Sequence, residues 1–245
     1  MAEFERNTVR SGGFAQADVI DQGLRAYMLR VYNYMAIGLA LTGLAAYGTF
    51  VAAVNNPEVA QLIYASPLRW VIILAPLAMV FFLSFRINKM SVSAAQTTFW
   101  VYAAMVGLSL SSIFMVYTGT SITRVFFITA ASFGALSLYG YTTSRSLSGM
   151  GSFLFMGLIG VIIASLVNLF VASSMLQFIV SIVGVLVFAG LTAWDTQRLK
   201  NDYIYGYASQ GGEMADRAAI VGALSLYLNF VNLFTLLLQL LGQRD

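Results

Sequence analysis

Gly190-Leu-Thr-Ala-Trp-Asp195-Thr-Gln-Arg-Leu-Lys200 closes an apolar run that begins at Phe178 and holds no charge before Asp195. The run is long enough to enter a bilayer as a helix, so Asp195 lies within a turn or two of hydrocarbon. The other acidic residues fall in tails or loops. Ionisable groups at such depth are rare, and they face a cavity, a partner or an ion path rather than lipid.

Similar runs recur along the 245 residues, which are 59% hydrophobic and 9% charged with a mean hydropathy of +0.80. Soluble domains carry about 25% charged residues. The composition therefore describes an all-α polytopic membrane protein, with the lipid bilayer as its first partner. The net charge of +3 rests on few groups and reports membrane topology; no nucleic-acid partner is expected. The absence of Cys and His excludes disulfides, haem or zinc held by those residues, and Ser-His or Cys-His nucleophiles. The first 30 residues lack the short apolar core of a cleaved signal, so no targeting segment is expected there.

Runs of about 20 apolar residues give seven spans, near Tyr32–Val54, Leu68–Phe85, Thr97–Tyr117, Thr123–Tyr141, Gly151–Ala172, Met175–Trp194 and Ala218–Leu241. Residues 32–245 thus form a transmembrane domain, preceded by a polar tail and an interfacial helix over 1–31. In that helix Asp18, Asp21 and Arg25 lie opposite Ile20, Leu24 and Tyr27. Two connections are long: Asn55–Pro67, broken by Pro57 and Pro67, and the polar, glycine-containing Thr196–Arg217. Between spans five and six only Ser173 and Ser174 interrupt the apolar sequence, so Asn168 and these serines must form a tight turn. Without that turn there are six spans. With seven, one side holds ten of the Lys and Arg residues and the other only Arg69, Arg124 and Arg244. The positive-inside rule then puts the N-terminus in the cytoplasm and the C-terminus outside.

Helical spacing sorts the polar residues of the last three spans onto single faces. They are Gly222, Ser225, Asn229, Asn232, Thr235 and Gln239 in span seven, Gln177, Ser181, Gly184, Thr192 and Asp195 in span six, and Gly157, Gly160, Ala164 and Asn168 in span five. Close helix packing accounts for Gly157, Gly160, Ala164 and Gly184. Asn229 and Asn232, a turn apart in mid-span, suit either interhelical hydrogen bonds or cation coordination through carbonyl oxygens, and Ser225 shares that face. Two cations are candidates for Asp195. Pairing with Arg198, one turn on, makes an interfacial anchor. Pairing with Arg86 at the end of span two makes a latch that protonation of the aspartate would release. Pro76 is expected to kink or break span two near its middle.

Six strings resemble the Bax inhibitor (TMBIM) family, most closely its bacterial YccA/YetJ-like branch. They are Val31-Tyr-Asn-Tyr-Met-Ala-Ile-Gly-Leu, Phe82-Leu-Ser-Phe-Arg86, Tyr139-Gly-Tyr-Thr-Thr, Leu147-Ser-Gly-Met-Gly-Ser-Phe, Ala193-Trp-Asp-Thr-Gln-Arg and Ala223-Leu-Ser-Leu-Tyr-Leu-Asn-Phe-Val-Asn-Leu-Phe. The resemblance runs from about Gly23 onward. It implies six helices around a central polar seventh, and a pH-sensitive calcium leak in a bacterial inner membrane. It also implies a gate of two hydrogen-bonded aspartates near the cytoplasmic mouth, with an arginine of span two beside them. The first aspartate falls on Asp195 and the arginine on Arg86. The second falls on Asn229, so this chain departs from the pattern at the gate itself. An Asp–Asn pair keeps a hydrogen bond but cannot share an acidic proton, and it offers calcium a carbonyl where a carboxylate would stand.

The leading expectation is a calcium (cation) leak channel or exchanger gated by Asp195, Asn229 and Arg86. Asn232 and Ser225 lie on its path, and a weak calcium contact is expected at Asp195 and Asn229. No cofactor is expected beyond calcium as transported ion. The alternative is a non-transporting regulator that binds a membrane protease of the FtsH type through its N-terminal tail, as the resemblance implies for some bacterial members. Enzyme readings fare worse: Lys89 and Lys200 lie outside the spans, and only Asp195 is placed for aspartyl chemistry.

Overall fold

A computed structural model describes residues 2–208 and 212–244, with side chains from Ile20 onward except those of Ser84 and Asn88. The helices are α1 (Ala2–Asn55), α2 (Pro57–Ala60), α3 (Leu68–Arg86), α4 (Val92–Leu110), α5 (Ile113–Val116), α6 (Gly119–Thr142), α7 (Ser148–Val171), α8 (Ser174–Asp202) and α9 (Gly212–Leu241). Among the described residues six segments are long and apolar enough to cross a membrane, or seven when the bent pair Pro57–Ala65 with Leu68–Leu83 is counted as one span. The protein is an all-α polytopic membrane protein.

Hydroxyls just ahead of the apolar runs start several helices by accepting orphan amides of the first turn. Ser91 takes the Ala94 amide, Thr118 that of Ser121, and Ser173 that of Leu176. The turn between α7 and α8 is as short as the sequence demands. Ala172 closes α7 in the left-handed region (φ 51°), and the Ser173 amide donates to Asn168 Oδ1 at 3.0 Å. Spans five and six are therefore separate helices.

Three boundaries differ from the sequence expectations. Pro76 does not break its span, since α3 runs through it as one helix. The sharp bend, 59°, falls instead at Ser66–Pro67, where extended Ser66 precedes a proline. The polar Thr196–Arg217 stretch is not a loop, because α8 continues to Asp202 and then into a π turn over Tyr203–Tyr207. Asp195 consequently stands inside a helix rather than at its end. The N-terminal segment is continuous with span one: Leu24 and Tyr27 are buried and Asp21 and Arg25 exposed, with Tyr27 stacked on Tyr203 at 5.0 Å. The side chain of Asp18 lies outside the described residues.

α9 packs directly against α1, α4, α6 and α8 and is the most deeply buried of the long spans. Tyr227 anchors it. Its ring meets Phe99 and Tyr102 edge-on, and its hydroxyl pairs with Thr42 Oγ1 at 2.6 Å, which satisfies its polar tip. α3 rests on α4, and α7 on α8, at the periphery. The C-terminus folds back so that the Thr118 amide donates to Gln243 O (3.1 Å) and the Gln243 amide to Ser121 Oγ (2.9 Å). At the opposite end of the bundle Arg30 pairs with Asp216 and Lys200 donates to Tyr141 O. Arg30 and Gln243 therefore lie at opposite ends of the bundle.

Glycine marks the closest crossings. A Cβ on Gly140 of α6 would lie 2.1 Å from Ala193 O, and one on Gly107 of α4 would lie 2.4 Å from Thr42 O. Gly184 and Gly157 likewise make room for Leu236 and Val187. Gly160 does not behave as expected: it is exposed, and an added Cβ would meet nothing within 4 Å. The small-residue face of α7 thus extends beyond its contact with α8.

Candidate functional site on the seam between two helices

The polar face of α9 is matched, level by level, by α8. At one end Gly222 receives Leu199. At the other, Ser181 Oγ donates to Gln239 Oε1 at 2.9 Å. Between them stands Asp195, only 4% exposed. Its Oδ2 accepts from Asn229 Nδ2 at 2.7 Å and from Ser225 Oγ at 3.0 Å. Its Oδ1 faces Arg198 Nη2 at 2.8 Å without an aligned hydrogen bond. The buried carboxyl group is thus met by two hydrogen-bond donors and one positive charge, the company a buried acidic group requires.

Arg198 is itself held in place. Its guanidinium lies 4.7 Å from the Trp194 ring centroid, and Trp194 in turn sits against Gly151 of α7, where a Cβ would come within 2.3 Å of the indole. On its other side Arg198 lines a cavity of about 560 Å³ with Tyr27, Asp202, Tyr207, Met214 and Arg217, at the end of the bundle that carries the N-terminal segment. Arg198 therefore separates Asp195 from this vestibule. In the opposite direction the seam is apolar, filled by Val187, Phe188, Leu191 and Leu233.

A sequence model of the family described as inhibitor of apoptosis-promoting Bax1 matches residues 24–245. The chain belongs to the Bax inhibitor family. It is 48% identical over 224 residues to an uncharacterized protein of Rickettsia prowazekii, covering 91% of this chain and 92% of the relative. It is 45% identical over 243 residues to the inner membrane protein YbhL of Escherichia coli strain K12, covering 94% and 98%. An uncharacterized protein of Caulobacter vibrioides is 43% identical over 250 residues, covering 99% and 98%.

Of the two cations weighed against Asp195 in this Bax inhibitor family member, the structure brings Arg198. Arg86 lies exposed at the end of α3 and forms no ion pair among the described residues, so in this conformation it does not latch Asp195. Asn229 and Ser225 converge on the carboxylate. Asn232 does not: its amide donates to Leu228 O of its own helix at 2.8 Å. Against an ionised carboxylate Asn229 must present its NH₂ group, so its carbonyl oxygen is turned away from Asp195. Among the described residues no three acidic side chains converge. Asp195 and Asn229 alone fall well short of the six to eight oxygens of a resident calcium site.

Gln197 has a role that the sequence reading missed, although it stands inside a quoted motif. It accepts the Leu147 amide at 2.7 Å and donates to Arg145 O at 2.9 Å, tying the α6–α7 connection to the turn that carries Asp195. Gln197→Ala orphans that amide and carbonyl. It is expected to lower stability by about 1–3 kcal/mol, read as thermal unfolding in detergent; an unchanged transition would show the connection to be held by other contacts.

Proposed function

We propose that the protein is a cation leak channel or exchanger of a bacterial inner membrane, with the N-terminus cytoplasmic and the C-terminus outside. The carrying observation is the buried Asp195, closed off from a polar vestibule by Arg198 and followed by an apolar seam. The inner-membrane description of the Escherichia coli relative supports the location, and the distribution of Lys and Arg supports the orientation. Calcium as the cargo rests on the family resemblance.

Asp195 is the one carboxylate the cation would meet inside the bundle. While ionised it holds Arg198 across the mouth. Protonation removes the charge that retains the guanidinium, so acid favours release into the vestibule. Because Arg198 is partly exposed, the pair is worth no more than about 1 kcal/mol. Opening also requires α8 and α9 to part beyond Asn229, since Leu233 and its neighbours leave no polar route. Arg86, on α3, is available to a moved conformation.

The test is calcium flux into proteoliposomes. Arg198→Gln is expected to raise the leak about fivefold, in line with losing a latch of about 1 kcal/mol. Asp195→Asn is expected to change flux and remove its response to acid. Flux no greater than that of empty liposomes for the unmodified protein and both variants sinks the channel. It would favour a regulator acting on a membrane protease of the FtsH type.

A further inference from the structure

α1 and α6 meet at one polar contact, Tyr32 Oη with Ser137 Oγ at 2.5 Å, and Ser137 continues to Thr196 Oγ1 at 2.9 Å. Around that contact the two helices leave an open groove of about 560 Å³. Its walls are apolar, with Met28, Leu29 and Met35 from α1 facing Phe133 and Leu138 from α6. Arg25 is the one charged residue that lines it, and it forms no ion pair among the described residues. Lys200 stands beside that same end, donating to Tyr141 O at 2.7 Å, and Tyr141 lines the groove.

The dimensions identify an occupant. Arg25 to Met35 spans ten residues of helix, about 15 Å at about 1.5 Å per residue. That is half of a hydrocarbon core of about 30 Å, the depth of one leaflet. The cationic end lies on the arginine-rich side of the bundle, the side that the positive-inside rule sets against cytoplasmic headgroups. We propose that the groove is a binding site for an anionic phospholipid: the phosphate sits against Arg25 with Lys200 nearby, and an acyl chain lies between α1 and α6 over the Tyr32–Ser137 contact. Basic sites between helices at a membrane surface recognise such headgroups, and a chain in the groove covers apolar wall that neither helix covers.

The experiment follows thermal unfolding of the full chain in detergent with added phosphatidylglycerol, or with phosphatidylcholine of the same acyl chains. Phosphatidylglycerol is expected to raise the midpoint by about 5 °C more than phosphatidylcholine. Arg25→Gln removes the charge. Gly134→Phe fills the groove, and it is sterically open because an added Cβ on Gly134 meets nothing within 4 Å. Both variants are expected to lose the preference, while Arg124→Gln at the other end of α6 keeps it. Equal stabilisation by the two lipids overturns the proposal, as does equal stabilisation by inorganic phosphate alone. Survival of the preference in either Arg25→Gln or Gly134→Phe overturns it as well.

Discussion

Asn229→Asp is expected to give the protein a leak that rises about tenfold from acid to mildly alkaline pH, the consequence of putting two carboxylates within one hydrogen bond. The Asn229 amide now lies 2.7 Å from Asp195 Oδ2 and donates to it. An acid in its place shares one proton with Asp195 at low pH and keeps the seam closed. When the second proton leaves, two negative charges face a single guanidinium, Arg198, and repulsion drives α8 and α9 apart. The unmodified protein has one carboxylate there, so under the proposed mechanism it is expected to respond to acid the other way, through release of Arg198. Flux assays from about pH 6 to about pH 8 check both signs, and thermal unfolding of the variant should weaken by about 1–3 kcal/mol over the same span. A variant whose flux and stability are both flat with pH would show that residue 229 does not face Asp195.

The second large effect comes from a residue with no side chain. Gly140→Ala places a methyl 2.1 Å from Ala193 O and within 3.0 Å of Ala193 C and Cα. All three are backbone atoms, so no rotamer change relieves the clash and α6 must move off α8. The expected cost is about 3 kcal/mol or more, at the upper end of overpacking. Ala193 is two residues from Asp195, so a surviving fold should also leak. Gly134→Ala, on the same helix but in open space, is the control and should stay within about 0.5 kcal/mol of the parent. Thermal unfolding of the pair decides it; equal midpoints would mean that the crossing of α6 and α8 is not tight.

The chemical core of the site was readable before the fold, because a carboxylate inside an apolar run has few innocent explanations. Its partners Ser225 and Asn229 were readable too, since helical spacing put them on one face of span seven. The motifs that carried the family resemblance now have physical causes, and three of them converge on a single turn. Gly140 admits Ala193, Gly151 admits Trp194, and Gln197 ties down Leu147. What spacing could not supply was which cation reaches Asp195. Counting spans puts Arg86 and Arg198 at the same side of the membrane, and only the continuation of α8 past Trp194 puts Arg198 on the same face one turn later. Hydropathy ended that helix early because its last turns are polar, yet they are helical by packing against Tyr27 and the α6–α7 connection. Gly160 misled for the opposite reason: a small residue on a patterned face was read as a contact where the helix faces outward.

One consequence concerns how α9 can move. Its far end is strapped to the start of α6 through Gln243, Thr118 and Ser121, and its near end is tied to α1 by Asp216 and Arg30. A rod fastened at both ends cannot act as a piston, but it can turn about its own length. Asn229 and Ser225 would then swing past Asp195 as a cam, while the peripheral α3, packed on α4, shifts aside to let the bundle breathe.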